Sequence, residues 1–276
     1  MPEHLIDSLD DPRLDVFREL KKTNLTRWSG RFIAEGVRVV KRLLASELEV
    51  ESVLVSRSHR HRILGLCLPN VDVFTLPQSV AEMVVGYRFH AGVLACAQRP
   101  GQPELATWAQ PDSRTSFLVA CPNTTDPDNL GTIIRIAAAF GAEGILLGRG
   151  CADPFSRRTV RVSMGNVFQM PIREADDIEA ELRELGETGK MALLGAVLSD
   201  SAIPLADCPV PSRAVLLLGN EADGLPQSLI DLCDQQVTIP MAVGVDSLNV
   251  GISAGILMYH FRQHANRFES QRDSKQ

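Results

Sequence analysis

An α/β protein of two units, the second built on a mostly parallel sheet, is the fold class this sequence predicts. Three observations carry it. Short apolar runs alternate with amphipathic stretches along most of the 276 residues. The apolar runs of the C-terminal half are continuous rather than alternating, as in strands buried on both faces. Between the halves, "RPGQPELATWAQPDS" holds three prolines and a glycine and reads as a linker. The expected division is therefore 1–98, a linker at 99–113, and 114–276.

Each element follows from its local pattern. "RFIAEGVRVVKRLLAS" (31–46) predicts an amphipathic helix through Val37, Val40, Leu43 and Leu44. "VESVLVS" and "VDVFTL" predict strands, "SVAEMVVG" a short helix, and "HAGVLACAQ" an extended run. Beyond the linker the expected order is strand "SFLVACP", helix "NLGTIIRIAAAFG", and strands "GILLG" and "FQMPI". Helix "DIEAELRELGETG", strand "MALLGAV", strand "AVLLLG", helix "PQSLIDLC" and strand "QVTIPM" follow. "SLNVGISAGILMYHFRQHA" predicts a closing helix, and "NRFESQRDSKQ" a frayed polar tail.

With 45% hydrophobic and 22% charged residues the chain can bury an ordinary core, and no apolar run is long enough to cross a membrane. The opening "MPEHLIDSLDDPRLD" lacks the basic start and apolar centre of a secretory signal. Six scattered cysteines (67, 96, 121, 151, 208, 233) fit neither a disulfide framework nor a zinc site. A reduced, cytoplasmic protein without metal is expected.

Net charge is −6, yet the cations are clustered. Residues 13–42 hold nine Lys/Arg against three acids, and "RSHRHR" (57–62) and "RRTVR" (157–161) add two more groups. Such clusters are either solvated helix faces or a localised anion-binding surface. His59 and His61, in the second cluster, read as exposed.

Three loops follow C-terminal strand ends, and a parallel sheet places them on one edge. In "NTTDPDNLGTIIRIAAAFGAEG" Asp126, Asp128 and Asn129 precede a helix that carries Arg135; Asn129 is either a cap or a site residue. "LLLGNEADGLP" runs a buried strand into Gly219 and Gly224, with Glu221 at the strand end. "IPMAVGVDSLNVGISAGILMYH" offers Ser247 as cap and Asn249 beside it, then a crowd of small residues. Glycine within a helix costs about 0.5–1 kcal/mol relative to alanine, so Gly251 and Gly255 imply a close neighbour. There is no dinucleotide fingerprint and no P-loop.

In order and spacing these three motifs resemble the SpoU-type (TrmH-like) RNA 2′-O-ribose methyltransferases of the SPOUT superfamily, with "RRTVRVSMGNVFQMPI" similar to the family's intervening segment. The resemblance implies a C-terminal SPOUT domain with a deep trefoil knot that forms the S-adenosylmethionine site. "RFIAEGVRVVKRLL" with "VESVLVS" resembles the family's small L30e-like α/β domain, which implies binding of structured RNA, with ribosomal RNA favoured over transfer RNA. A homodimer with the site near its interface is also implied. By position, Asn129, Arg135, Glu221, Ser247 and Asn249 match the polar catalytic set. Leu218, Gly219, Asn220, Gly224, Ile239, Pro240, Met241, Ser247, Leu248, Asn249 and Val250 match the cofactor-binding segments. Arg27, Arg31, Arg38, Arg157, Arg158, Arg161 and Ser163 are the candidate RNA contacts, Ser163 pairing with Gly165 as a common family doublet. Ile136 and His260 depart from the family's usual threonine and glutamate.

The implied reaction is displacement of the sulfonium methyl by a ribose 2′-oxygen, which requires both groups held in line. Family proposals make the motif-one arginine the base. A neutral guanidine costs roughly 8 kcal/mol at neutral pH, so a charged clamp on phosphate and developing alkoxide is the alternative role. Base methylation by a related enzyme and non-catalytic RNA binding are the competing functions.

Overall fold

The computed structural model describes all residues except 1, 19, 21–28, 111–115, 221, 243–246 and 274–276, and of 264–273 it describes only the helical backbone. Arg27 and Glu221 therefore lie outside the described residues. The chain divides into two units: Met1–Gly101 with Asp153–Gln169, and Gln102–Ala152 with Met170–Gln276.

The first unit is a five-stranded mixed sheet in the order β1-β4-β3-β5-β2. Its elements are β1 (Glu3–Leu5), β2 (Arg31–Glu35), α1 (Val37–Leu44), β3 (Val50–Ser56), β4 (Asp72–Leu76), α2 (Gln78–Val85) and β5 (Val93–Gln98). The helix expected over 31–46 is half strand. Gly36, at φ +95°, breaks the run, so "RFIAE" pairs antiparallel with β5 and only Val37–Leu44 is helical. Period-3.6 spacing within 37–44 is genuine, and α1 buries Val39, Val40, Leu43 and Leu44. Phe17, Phe74, Phe89, Leu54 and Leu94 lie in the unit's core cluster.

The second unit is a seven-stranded sheet in the order β10-β12-β9-β11-β6-β7-β8, parallel throughout. In chain order it runs α3 (Leu105–Ala109), β6 (Ser116–Cys121), α4 (Pro127–Phe140) and β7 (Gly144–Leu147). The chain then contributes α5 (Arg157–Val162) to the first unit, where Phe155 and Phe168 pack their rings 5.2 and 5.6 Å from Phe32. It resumes with β8 (Ile172–Glu174), α6 (Ile178–Glu187), β9 (Ala192–Ala196), β10 (Ile203–Pro204), β11 (Arg213–Leu218), α7 (Gln227–Ile230), β12 (Gln235–Thr238) and α8 (Val250–Asp273).

Four expectations change. The supposed linker carries α3, whose Leu105, Trp108 and Ala109 join the core of the second unit, so its apolar residues outweigh its prolines. Residues 153–169, expected in the second domain, group with the first unit. The strand expected over "FQMPI" starts only at Ile172, after a 3-10 turn at Asn166–Phe168. The supposed frayed tail is helical to Asp273. The continuous apolar runs are the central strands, as their composition requires: β11 buries Ala214 to Leu218 between β6 and β9.

Candidate active site

Because the strands are parallel, the loops leaving β9, β11, β12 and β6 emerge on one edge. At that edge a cavity of about 470 Å³ opens, within the usual range for small-ligand sites. Of the candidate cofactor residues, Leu218, Gly219, Asn220, Gly224, Ile239, Met241, Ser247, Leu248 and Val250 line it. Pro240 and Asn249 do not belong to the wall. The loop after β9 was not anticipated: Ala196, Val197 and Leu198 form one side. The only available signal was that a buried strand ends there, and "LSDS" carries no recognisable motif.

The β11 loop is closed on itself. Asn220 and Gly224 exchange backbone hydrogen bonds of 3.0 and 2.9 Å. A Cβ on Gly219 would lie 2.4 Å from the carbonyl carbon of Gly224, so that glycine serves the loop's own closure as well as lining the cavity. The Asn220 side chain fixes the loop further: its amide donates to the Asn123 carbonyl at 2.8 Å and its oxygen accepts from Ala222 N–H at 2.8 Å. The loops after β6 and β11 are thereby joined.

Two of the remaining polar candidates, Asn129 and Asn249, meet next to cavity residues Leu248 and Val250. Asp126 caps α4, accepting from Asp128 N–H at 2.7 Å, and Pro127 occupies the first helical position. Asn129 is thus inside the first turn and is not the cap. Asn249 caps α8, accepting from Gly251 N–H at 2.9 Å, a role expected for Ser247. The other end of the Asn249 carboxamide donates to Asn129 Oδ1 at 2.9 Å. Motifs one and three, 120 residues apart, are therefore in direct contact.

Gly251 supplies the close approach implied by the small residues. A Cβ there would meet Thr132 Cγ2 of α4 at 2.8 Å, whereas one on Gly255 would meet Ile136 Cδ1 at an ordinary 3.5 Å. Arg135 is exposed, forms no salt bridge or hydrogen bond with any described residue, and does not line the cavity. Asp223 is the one charged residue among the described residues of the wall.

The RNA candidates fall into the first unit and differ in state. Arg31 is paired with Glu51 at 2.8 Å, which holds its guanidinium above its ordinary pKa. Arg157 stacks 4.6 Å from the Tyr87 ring centroid and lies 3.5 Å from Glu35. Ser163 is buried and donates to the Val160 carbonyl at 3.0 Å, so it has no surface to offer. Arg38, Arg158 and Arg161 are exposed.

Residues 116–259, just over half of the chain, match the SpoU rRNA Methylase family. An uncharacterized tRNA/rRNA methyltransferase of Mycobacterium bovis is 36% identical over 91% of this chain and 88% of the relative. The chain belongs to the SpoU family. A 23S rRNA guanosine 2′-O-methyltransferase of Bacillus subtilis is 29% identical over 92% of this chain and 94% of its own. Among SpoU-like solved structures, an AdoMet-bound rRNA methyltransferase from Sinorhizobium meliloti superposes with a TM-score of 0.82 at 28% identity, covering 95% of this chain and 98% of that one. In this SpoU member the matched segment contains every element of the cavity wall.

Proposed function

We propose that this SpoU protein transfers methyl groups from S-adenosylmethionine to ribose 2′-hydroxyls of ribosomal RNA. The observation that carries the reading is the convergence of the β9, β11 and β12 loops with the start of α8 on one cavity. The wall fits the cofactor. Its apolar groups, Val197, Leu198, Leu225 and Ile239, suit a purine, and its one described charge, Asp223, is an acid suited to a ligand carrying ammonium and sulfonium groups. S-adenosylmethionine, bound there, supplies an activated methyl.

The chain's own groups hold the reactants. Closure of the β11 loop presents backbone amides and carbonyls around the cavity, and the Asn129–Asn249 contact fixes the entry of α8. The RNA oxygen that takes the methyl must shed its proton. We assign Arg135 as a cation that grips phosphate and favours the developing alkoxide, with water taking the proton; its exposure and lack of a described partner support that role over a base. Ser247 orients the ribose or the cofactor loop, and Glu221, outside the described residues, is assigned to fixing a backbone turn or balancing Arg135.

The finer architecture belongs to this reading. The trefoil knot is supported by family membership and by α8 returning from β12 to pack on α4. A homodimer is supported by an exposed apolar stripe on α8: Ile252, Ile256 and Tyr259, at one-turn spacing. The L30e-like reading of the first unit and a cytoplasmic setting, where ribosomal RNA is made, complete it. Labelled cofactor, rRNA and nucleoside analysis test the function: a 2′-O-methyl nucleoside is expected, and a methylated base or no transfer refutes it. A pH–rate profile of Arg135→Lys tests the role. Weakened RNA binding without a new inflection is expected, whereas an inflection near a lysine pKa makes the residue the base.

A further inference from the structure

The first unit uses its arginines in two ways. Arg13, Arg57, Arg60 and Arg99 each lie 2.6 to 2.7 Å from a carboxylate, on Asp11, Asp7, Glu3 and Asp153. Around a cavity of about 830 Å³ the pattern reverses. Arg38, Lys41, Arg62, Arg88 and Arg161 all line it, all are exposed, and none forms a salt bridge or hydrogen bond with a described residue. The one acid of the wall, Glu35, is 9% exposed and already faces Arg157. Five like charges converging on one concavity repel one another, and an anion between them relieves that repulsion. The chain gathers them from four places: α1, the 3-10 turn at Arg60–Arg62, the loop after α2, and α5.

Between the cations the wall carries apolar and aromatic groups, among them the half-buried Tyr87 and Met164. That combination suits a polyanion whose charges flank a flat apolar group. A duplex presents its phosphates on a convex surface with the bases stacked inside, whereas an unpaired loop offers phosphates and splayed bases together.

We propose that this cavity receives an unpaired stretch of RNA, its phosphates on the five cations and a base against the Tyr87 wall. The inference rests on the RNA-methylating reading but adds a site outside the three methyl-transfer motifs. It adds Lys41 and Arg62, members of the charge clusters that were not among the candidate RNA contacts, and Arg88, which lies in no cluster, and it leaves out Arg31, Arg157 and Ser163.

The test is a salt series of equilibrium binding by the full chain, with a hairpin RNA carrying an unpaired loop and a blunt duplex of equal length as probes. In Arg38→Gln/Arg62→Gln/Arg88→Gln the slope of log affinity against log salt on the hairpin falls by about 2, at roughly 0.7 per lost phosphate contact. Removing three paired, exposed arginines instead (Arg13→Gln/Arg57→Gln/Arg149→Gln) leaves the slope as it was, and unchanged denaturant unfolding shows that both variants are folded. An unchanged slope in the cavity variant, or equal affinity for duplex and hairpin, overturns the proposal. If the hairpin binds with the expected slopes yet no RNA accepts methyl from the wild type, the cavity assignment stands and the methyl-transfer reading fails.

Discussion

The Asn249 carboxamide does two things at once: its oxygen caps α8 through Gly251 N–H, and its amide reaches Asn129 Oδ1 at 2.9 Å. Asn249→Asp separates the roles. An aspartate still accepts from Gly251, and its charge suits a helix start, but it has no donor for Asn129. The variant is expected to melt close to wild type while binding S-adenosylmethionine about fivefold more weakly, the equivalent of one hydrogen bond of roughly 1 kcal/mol. Asn249→Ala loses the cap as well, at about 1 kcal/mol of stability. Calorimetry of cofactor binding beside denaturant titration checks both; wild-type affinity in Asn249→Asp would remove the contact from the mechanism.

Gly251 and Gly255 look alike in sequence and are expected to respond in opposite directions. Alanine at 251 drives its methyl to 2.8 Å from Thr132 Cγ2, an overpacking that costs roughly 1–3 kcal/mol. At 255 the nearest atom is 3.5 Å away, so alanine gains about 0.5–1 kcal/mol of helix propensity. Thr132→Ser removes the obstructing methyl and is expected to recover part of the Gly251→Ala loss. Thermal midpoints of the three variants and the double variant decide it.

The parallel sheet was legible because burial on both faces leaves an unmistakable mark: "AVLLL" has no polar face to show. Convergence of the three motifs was legible because parallel strands send their following loops to one edge. What stayed hidden were contacts between distant segments. Nothing local marks Asn129 as a hydrogen-bond partner, and its preference for helix starts pointed to a cap that Asp126 in fact provides. Likewise, "RFIAEGVRVVKRLL" satisfies a helical period up to Arg31, and only pairing with β5 makes its first five residues a strand. Charge clusters located the basic segments but could not separate Arg31, balanced by Glu51, from Arg38, which is unpaired among the described residues.

The cysteines are expected to be inert. Burial pushes the thiols of Cys67 and Cys233 up to about 11 and that of Cys96 to about 12, with the Glu51 carboxylate adding to the last. At about pH 8 the first two hold on the order of one thiolate in a thousand, and the thiolate is the reactive form. Brief iodoacetamide treatment of the native protein followed by peptide mass analysis should find these three unmodified, and all three modified after denaturation. Rapid native labelling of Cys233 would mean that the packing around α7 opens readily.

His59 gives the first unit a pH dependence with a definite sign. It was read as exposed, but it is half-buried, with the hydroxyls of Ser56 and Ser58 each 3.0 Å from Nδ1. Burial lowers its pKa below the usual 6.5, and the positive charges of Arg62 and His61 lower it further. The native state therefore favours the neutral ring, and between the folded pKa and 6.5 the unfolded chain binds more protons. This contribution to stability is complete above about pH 6.5 and is lost as pH falls through the folded value. Acid loss from the depressed carboxyls, Glu3 and Asp11, comes lower, below the ordinary carboxylate range. Denaturant titrations at about pH 7.5 and about pH 5.5 are expected to show a decline in the wild type that is smaller in His59→Gln, whose side chain cannot take up the proton. Parallel declines in the two proteins would place the acid sensitivity elsewhere in the chain.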